Sequence, residues 1–211
     1  VTRSDNCRVS DLSVSSDNLT FTYEAKSLPY PIDTSYYDNE KHTQADALSV
    51  IPFMDEMNYE GLSVSGLSDG YYGLTIGREF IGRFTARELE RGINMALLQN
   101  TPQYKQAMKI RQMNEERWLK ERKMREFYWV EYNLMRKTGM LWACNEAAVD
   151  TLRKYRPHDI FLQWNGDLWL QYMHKGIRED CVNEQQDLVN QIYEQNKPIP
   201  LRIEIKKFTD L

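Results

Sequence analysis

From Pro102 to Lys137 no glycine and no second proline interrupts the chain. Those are the residues that weaken or break a helix interior, so this stretch can hold one continuous helix. Thr101 stands just before it as a capping residue, and Pro102 at the first helical position sacrifices no internal hydrogen bond. Met124, Phe127, Tyr128, Glu131, Leu134 and Met135 keep the three-four spacing of a helix with one buried stripe. The helix divides the chain, because apolar residues alternate with period two before it and recur with helical period after it. Strands first and helices second mark an α+β fold.

The boundary is drawn at 84/85. Residues 1–84 read as a small antiparallel β-sandwich-like domain. Residues 85–211 read as a helical part with a joint at 85–102, two long antiparallel helices and a short final strand at 201–205. In the first part Val9, Leu12 and Val14, then Leu19, Phe21 and Tyr23, form two strands around the turn Ser15-Ser16-Asp17-Asn18. Leu28-Pro29-Tyr30-Pro31 opens a long connection over 26–47 that includes Tyr36 and Tyr37. Further strands are expected at about 48–53, 60–65, 71–76 and 79–84, the last two joined at Gly77. In the joint, Thr85 and Glu88 have the spacing of a capping box, and Gly92 can end the short helix they start. Asn94 can satisfy backbone groups where the chain turns, before Thr101-Pro102 launches the long helix. Beyond it, a short helix is expected at 145–155, stopped at Arg156-Pro157, and a last helix at 167–195 ends before Pro198.

The formal net charge of −4 argues against a nucleic-acid partner, which would select a basic excess. No apolar run approaches the length of a membrane-spanning helix. The basic stretch Arg117 to Arg125 is interleaved with glutamates and reads as a solvated helix face. Cys7, Cys144 and Cys181 show neither metal-ligand spacing nor a disulfide framework; one bridge with one free thiol is the alternative, and three buried thiols is the simpler reading. Neither a metal nor a cofactor is expected, for want of a ligand motif or a phosphate-cradling glycine loop. His42, His158 and His174 lie beside no recognisable nucleophile motif. The best local candidate for binding is Gln163 to Tyr172, where Trp164, Trp169 and Tyr172 could form an aromatic platform for a sugar, with Asp167 among them. Asn165-Gly166-Asp167 reads there as a helix start.

The joint carries a resemblance. Phe84-Thr85-Ala86, Glu88-Leu89, Gly92-Ile93-Asn94-Met95-Ala96, Thr101-Pro102 and Gln106-Ala107 resemble a run in the later part of bacterial SGNH (GDSL-like) hydrolases. Other pieces resemble that family in the same order: Asn6 to Leu12, Leu28 to Pro31, Pro52 to Asn58 and Leu62 to Leu67. The resemblance covers most of residues 6–107 and weakens beyond.

It implies ester hydrolysis, often removal of acetyl groups from carbohydrate, by a serine in a Gly-Asp-Ser block and a histidine in an Asp-x-x-His block. None of the family's catalytic blocks matches here, so no catalytic residue is carried over, and those blocks are expected upstream of Val1. The expected partner is that upstream catalytic core, with a carbohydrate ester as ligand and an extracytoplasmic setting. The alternative is a stand-alone carbohydrate- or protein-binding module with its site near 164–172. A third reading builds an active site on one of the three histidines.

Overall fold

The computed structural model describes residues 1–35 and 42–208; Tyr36 and Tyr37 lie outside that range. The elements in chain order are β1 (Cys7–Val14), β2 (Asn18–Ala25), α1 (Phe53–Glu56), β3 (Gly61–Leu62), β4 (Tyr71–Ile76), β5 (Glu79–Thr85), α2 (Ala86–Arg91) and β6 (Ile93–Asn94). Then come α3 (Pro102–Val130), a π-helical turn at Glu131–Met135, α4 (Glu146–Tyr155), α5 (Ile160–Tyr172), α6 (Lys175–Gln195) and β7 (Leu201–Lys207). The fold is α+β, with an antiparallel sheet, a helical region with long helices and a C-terminal strand.

Two compact units result, one of residues 1–111 with 195–211, the other of residues 112–194. This division differs from a boundary at 84/85. The joint and the last strand belong with the sheet, because β7 lies in its middle. The five-stranded sheet has the order β1-β2-β7-β4-β5, every neighbouring pair antiparallel. Phe21 stands opposite Ile203, and Leu74 opposite Ile205. Alternate side chains of these strands point to one face, where Leu74, Ile76, Ile203 and Ile205 are buried with Leu89 of α2 and Met95.

The expected sandwich is a single sheet with a separate two-stranded ribbon, β3 paired with β6. β7 bridges the two N-terminal hairpins into one layer, so they do not stack as two. Of the strand expected at 60–65 only Gly61 and Leu62 pair. The strand expected at 48–53 is instead a 3₁₀ turn at Gln44–Ser49 followed by α1. Asp46 accepts from the Thr43 N–H at 2.6 Å, a local bond that favours a helical turn over a strand.

In the second unit α6 runs antiparallel to α3: Lys120 pairs with Glu184 at 2.7 Å, and the Arg178 guanidinium lies 4.8 Å from the Phe127 ring centre. Phe127, Val130, Met135, Ala148, Leu152 and Trp169 form the buried centre. The single helix expected at 167–195 is two helices broken at Met173-His174. Arg178 donates to the carbonyls of Tyr172 and Met173, satisfying the acceptors that the end of α5 leaves open. α5 begins earlier than expected, at Asp159, whose side chain accepts from the N–H groups of Phe161 and Leu162. Asn165-Gly166-Asp167 therefore lies inside a helix. A Cβ at Gly166 would meet the Arg156 side chain at 3.1 to 3.3 Å.

Candidate functional site

The joint is built first from local capping. Thr85 Oγ1 accepts from the Glu88 N–H at 3.2 Å, and the Glu88 carboxylate accepts from the Thr85 N–H at 2.7 Å. The Thr85 hydroxyl also donates to Glu88 Oε2 at 2.7 Å, and the backbone and hydroxyl bonds to that carboxylate hold it below its ordinary value. Gly92 ends α2 at φ 93°, a backbone conformation that side chains other than glycine rarely take. Asn94 then makes four bonds. Its Oδ1 accepts from the N–H groups of Glu60 and Ala96, and its Nδ2 donates to the carbonyls of Met54 and Asn58. Thr101, fully buried, accepts from the Tyr104 N–H and donates to the Leu98 carbonyl, which starts α3 at Pro102. All these partners lie within the sheet-bearing unit.

In the helical unit, the three aromatic residues proposed as one platform are separated. Trp169 is completely buried, and its indole N–H donates to Glu131 Oε1 at 2.8 Å. Glu131, itself 1% exposed, takes a second bond from the Trp142 N–H at 2.8 Å through Oε2. That bond holds Trp142 at φ 62°, an uncommon conformation for such a side chain. Tyr172 is also buried, and burial, with Cys181 beside it, pushes its hydroxyl up to about 12. Asp167 is engaged by Arg156 in a two-pronged ion pair of 2.6 and 2.7 Å, which holds its carboxyl below the ordinary value.

Of the three aromatic residues only Trp164 is open, 67% exposed. It lines a cleft of about 620 Å³ with Trp118, Trp129, Phe161, Arg122 and Arg125. Trp129 and Phe161 lie 5.2 Å apart between ring centres, and Phe161 and Trp164 lie edge-to-face at 5.5 Å. Arg125 lies 5.7 Å from the Trp118 ring centre, and Arg122 pairs with Glu126 at 2.7 Å. Flat apolar rings beside guanidinium donors suit a ligand with both an apolar face and oxygen acceptors. Sequence reasoning missed Trp118 and Trp129 because they lie on α3, well before Trp164 of α5. One signal was present: Trp118, Arg122, Arg125 and Trp129 recur at three-four spacing, which places them along one helix face.

The histidines do not build a triad among the described residues. His42 is exposed, and His158 lines a separate cleft of about 350 Å³ with Trp129, Tyr155 and Asp159. His174 Nδ1 lies 3.3 Å from Cys144 Sγ, both exposed. All three cysteines are free thiols, and only Cys181 is buried, because Cys7 lies on an edge strand and Cys144 in an exposed loop. Among the described residues no group of side chains could hold a metal ion, and no helix is long and apolar enough to cross a membrane.

Residues 108–197 match the family described as the diltiazem deacetylase C-terminal helical domain. The structure of a gut microbial diltiazem-metabolizing enzyme matches 98% of this chain, with 35% sequence identity and a TM-score of 0.91. The match takes in 47% of that enzyme's chain, so this chain spans about half its length. No curated protein matches. The chain is thus similar to the C-terminal portion of an esterase-like enzyme.

Proposed function

We propose that this chain is the C-terminal, non-catalytic portion of an SGNH-type ester hydrolase that removes acetyl groups from carbohydrate. One observation carries the reading. A solved enzyme follows nearly the whole of this chain, yet the match occupies less than half of that enzyme. The deacetylase family matched by the helices supports acetyl-ester chemistry, and the motif order along residues 6–107 supports the SGNH type. In this reading the serine, its histidine and the oxyanion donors come from an upstream core, in an extracytoplasmic setting. The joint from Thr85 to Pro102 has an architectural role, and the cleft at Trp164 holds the sugar.

The cleft also favours a second reading, a stand-alone carbohydrate-binding module, since stacking on Trp164 requires no catalytic core. Both readings meet in one experiment. Hydrolysis of a small activated acetate ester and of an acetylated oligosaccharide is measured for the 211-residue chain and for the same chain preceded by its natural upstream sequence. The expected result is turnover only in the longer protein. Trp164→Ala then raises KM for the oligosaccharide several-fold and leaves the small ester unchanged. Turnover by the short chain, abolished by His174→Ala, places the active site here and overturns the accessory reading. Oligosaccharide binding without turnover in either protein selects the stand-alone module.

A further inference from the structure

Glu60 lies between the α1 turn and β3, and its side chain points into the sheet-bearing unit. Its Oε1 accepts from the Tyr23 hydroxyl of β2 at 2.9 Å and from Gln103 Nε2 of α3 at 3.2 Å. Its backbone is fixed as well: the N–H donates to Asn94 Oδ1, and the carbonyl accepts from the Met95 N–H. Two atoms in this cluster are buried without any partner, Glu60 Oε2 and Gln103 Oε1. Gln103 is 4% exposed. Both orphans are acceptors, and a buried acceptor without a donor is costly.

The groups facing the carboxyl offer no compensating charge. They are the Tyr23 phenol from β2 and the Gln103 amide from α3, with the Cys7 thiol of β1 near Tyr23. Among the described residues no lysine, arginine or histidine pairs with Glu60.

We propose that Glu60 is a carboxylic acid in the folded protein, its Oε2–H donating to Gln103 Oε1 while Gln103 Nε2–H donates to Glu60 Oε1. One proton then supplies both orphan acceptors and closes an acid–amide ring. A carboxylate at the same place leaves two buried oxygen acceptors with no donor. The burial that isolates the pair acts in the same direction, raising the Glu60 carboxyl above its ordinary value.

The ring ties three elements at one point: the sheet through Tyr23, the joint through Asn94, and the first turn of α3 through Gln103. It makes the sheet-bearing unit a base-sensitive assembly. A raised carboxyl value means the folded protein keeps a proton that the unfolded chain releases. The stabilisation is complete below the ordinary value of 4.5 and is lost as pH rises through the folded value.

The test compares urea unfolding of the 211-residue chain and of Glu60→Gln across pH 4 to 8. The glutamine amide can donate to Gln103 Oε1 as the acid does, but it cannot ionise. Relative to Glu60→Gln, the wild-type unfolding equilibrium constant is expected to rise with pH, by up to about tenfold per pH unit between the two values for one linked proton. Carboxyl-carbon NMR of the wild type keeps the proposal testable if the variant fails to fold. One glutamate carboxyl is expected to titrate above all the others, with the Gln103 side-chain amide shifting alongside it. Titration of Glu60 with the ordinary carboxylates, or wild-type stability that gains on the variant as pH rises, overturns the proposal.

Discussion

The two units solve the same burial problem from opposite ends of the contact-order scale. The helical unit is one continuous stretch, residues 112–194, and its helices meet across short connections. The sheet-bearing unit is discontinuous, since β7 must travel from the C-terminus to lie between β2 and β4. Asn18 and Glu204, which share a hydrogen bond at 3.1 Å, are 186 residues apart in sequence. Closing so long a loop costs entropy before any contact rewards it. A local unit can be complete while a non-local one still waits for its last strand, so the two units are expected to break separately.

The largest effect is expected in the helical unit. Trp169→Ala removes a fully buried indole and leaves Glu131 Oε1 without its donor. The expected loss is about 4 kcal/mol, from the cavity together with the stranded acceptor. Hydrogen exchange should show the loss of protection over residues 112–194, with β2, β4 and β7 protected as before. Ile203→Ala is the matching cut in the sheet, at about 3 kcal/mol for a buried isoleucine in the central strand. Its loss of protection should appear in both β2 and β4, although those strands lie far apart in sequence, because each pairs with β7. If either variant loosens both units equally, the two units do not break separately.

The same contrast explains what could be read from the sequence. Local signals were legible. The Ser15 to Asn18 turn, the hairpin at Gly77 and the run from Pro102 all depend on residues close in the chain, and all three structures form. The alternation of Leu201, Ile203 and Ile205 announced a strand, but period two does not say which strands flank it. That missing partner is why the first part read as a sandwich. The break at Met173-His174 carries no glycine or proline; Arg178 makes it by reaching back to two carbonyls. In the candidate cleft only Trp164 was visible from a short window. Trp118 and Trp129 join it through packing between α3 and α5, and Trp169, on the same helix and equally aromatic, points into the core instead.

The smallest expected effect tests the joint, where short-range capping serves the long-range unit. Thr85 Oγ1 caps α2, and Leu89 of that helix is buried against the sheet. Thr85→Ala should cost about 1 kcal/mol, the usual loss for an N-cap threonine, and Thr85→Ser should recover most of it. The cost should also depend on pH. The Glu88 carboxyl is held below its ordinary value first by the Thr85 backbone bond and then by the Thr85 hydroxyl. A depressed carboxyl stabilises the fold above its unfolded value of 4.5 and loses that contribution as pH falls through the folded value. The alanine variant retains the backbone bond and loses the hydroxyl one, so its deficit against wild type should be full at pH 7 and shrink as Glu88 is protonated. Urea midpoints of the two proteins at pH 7 and pH 3 measure this directly. A deficit that is the same at both values would mean that the hydroxyl acts on the helix N–H alone and that its bond to the Glu88 carboxylate contributes nothing.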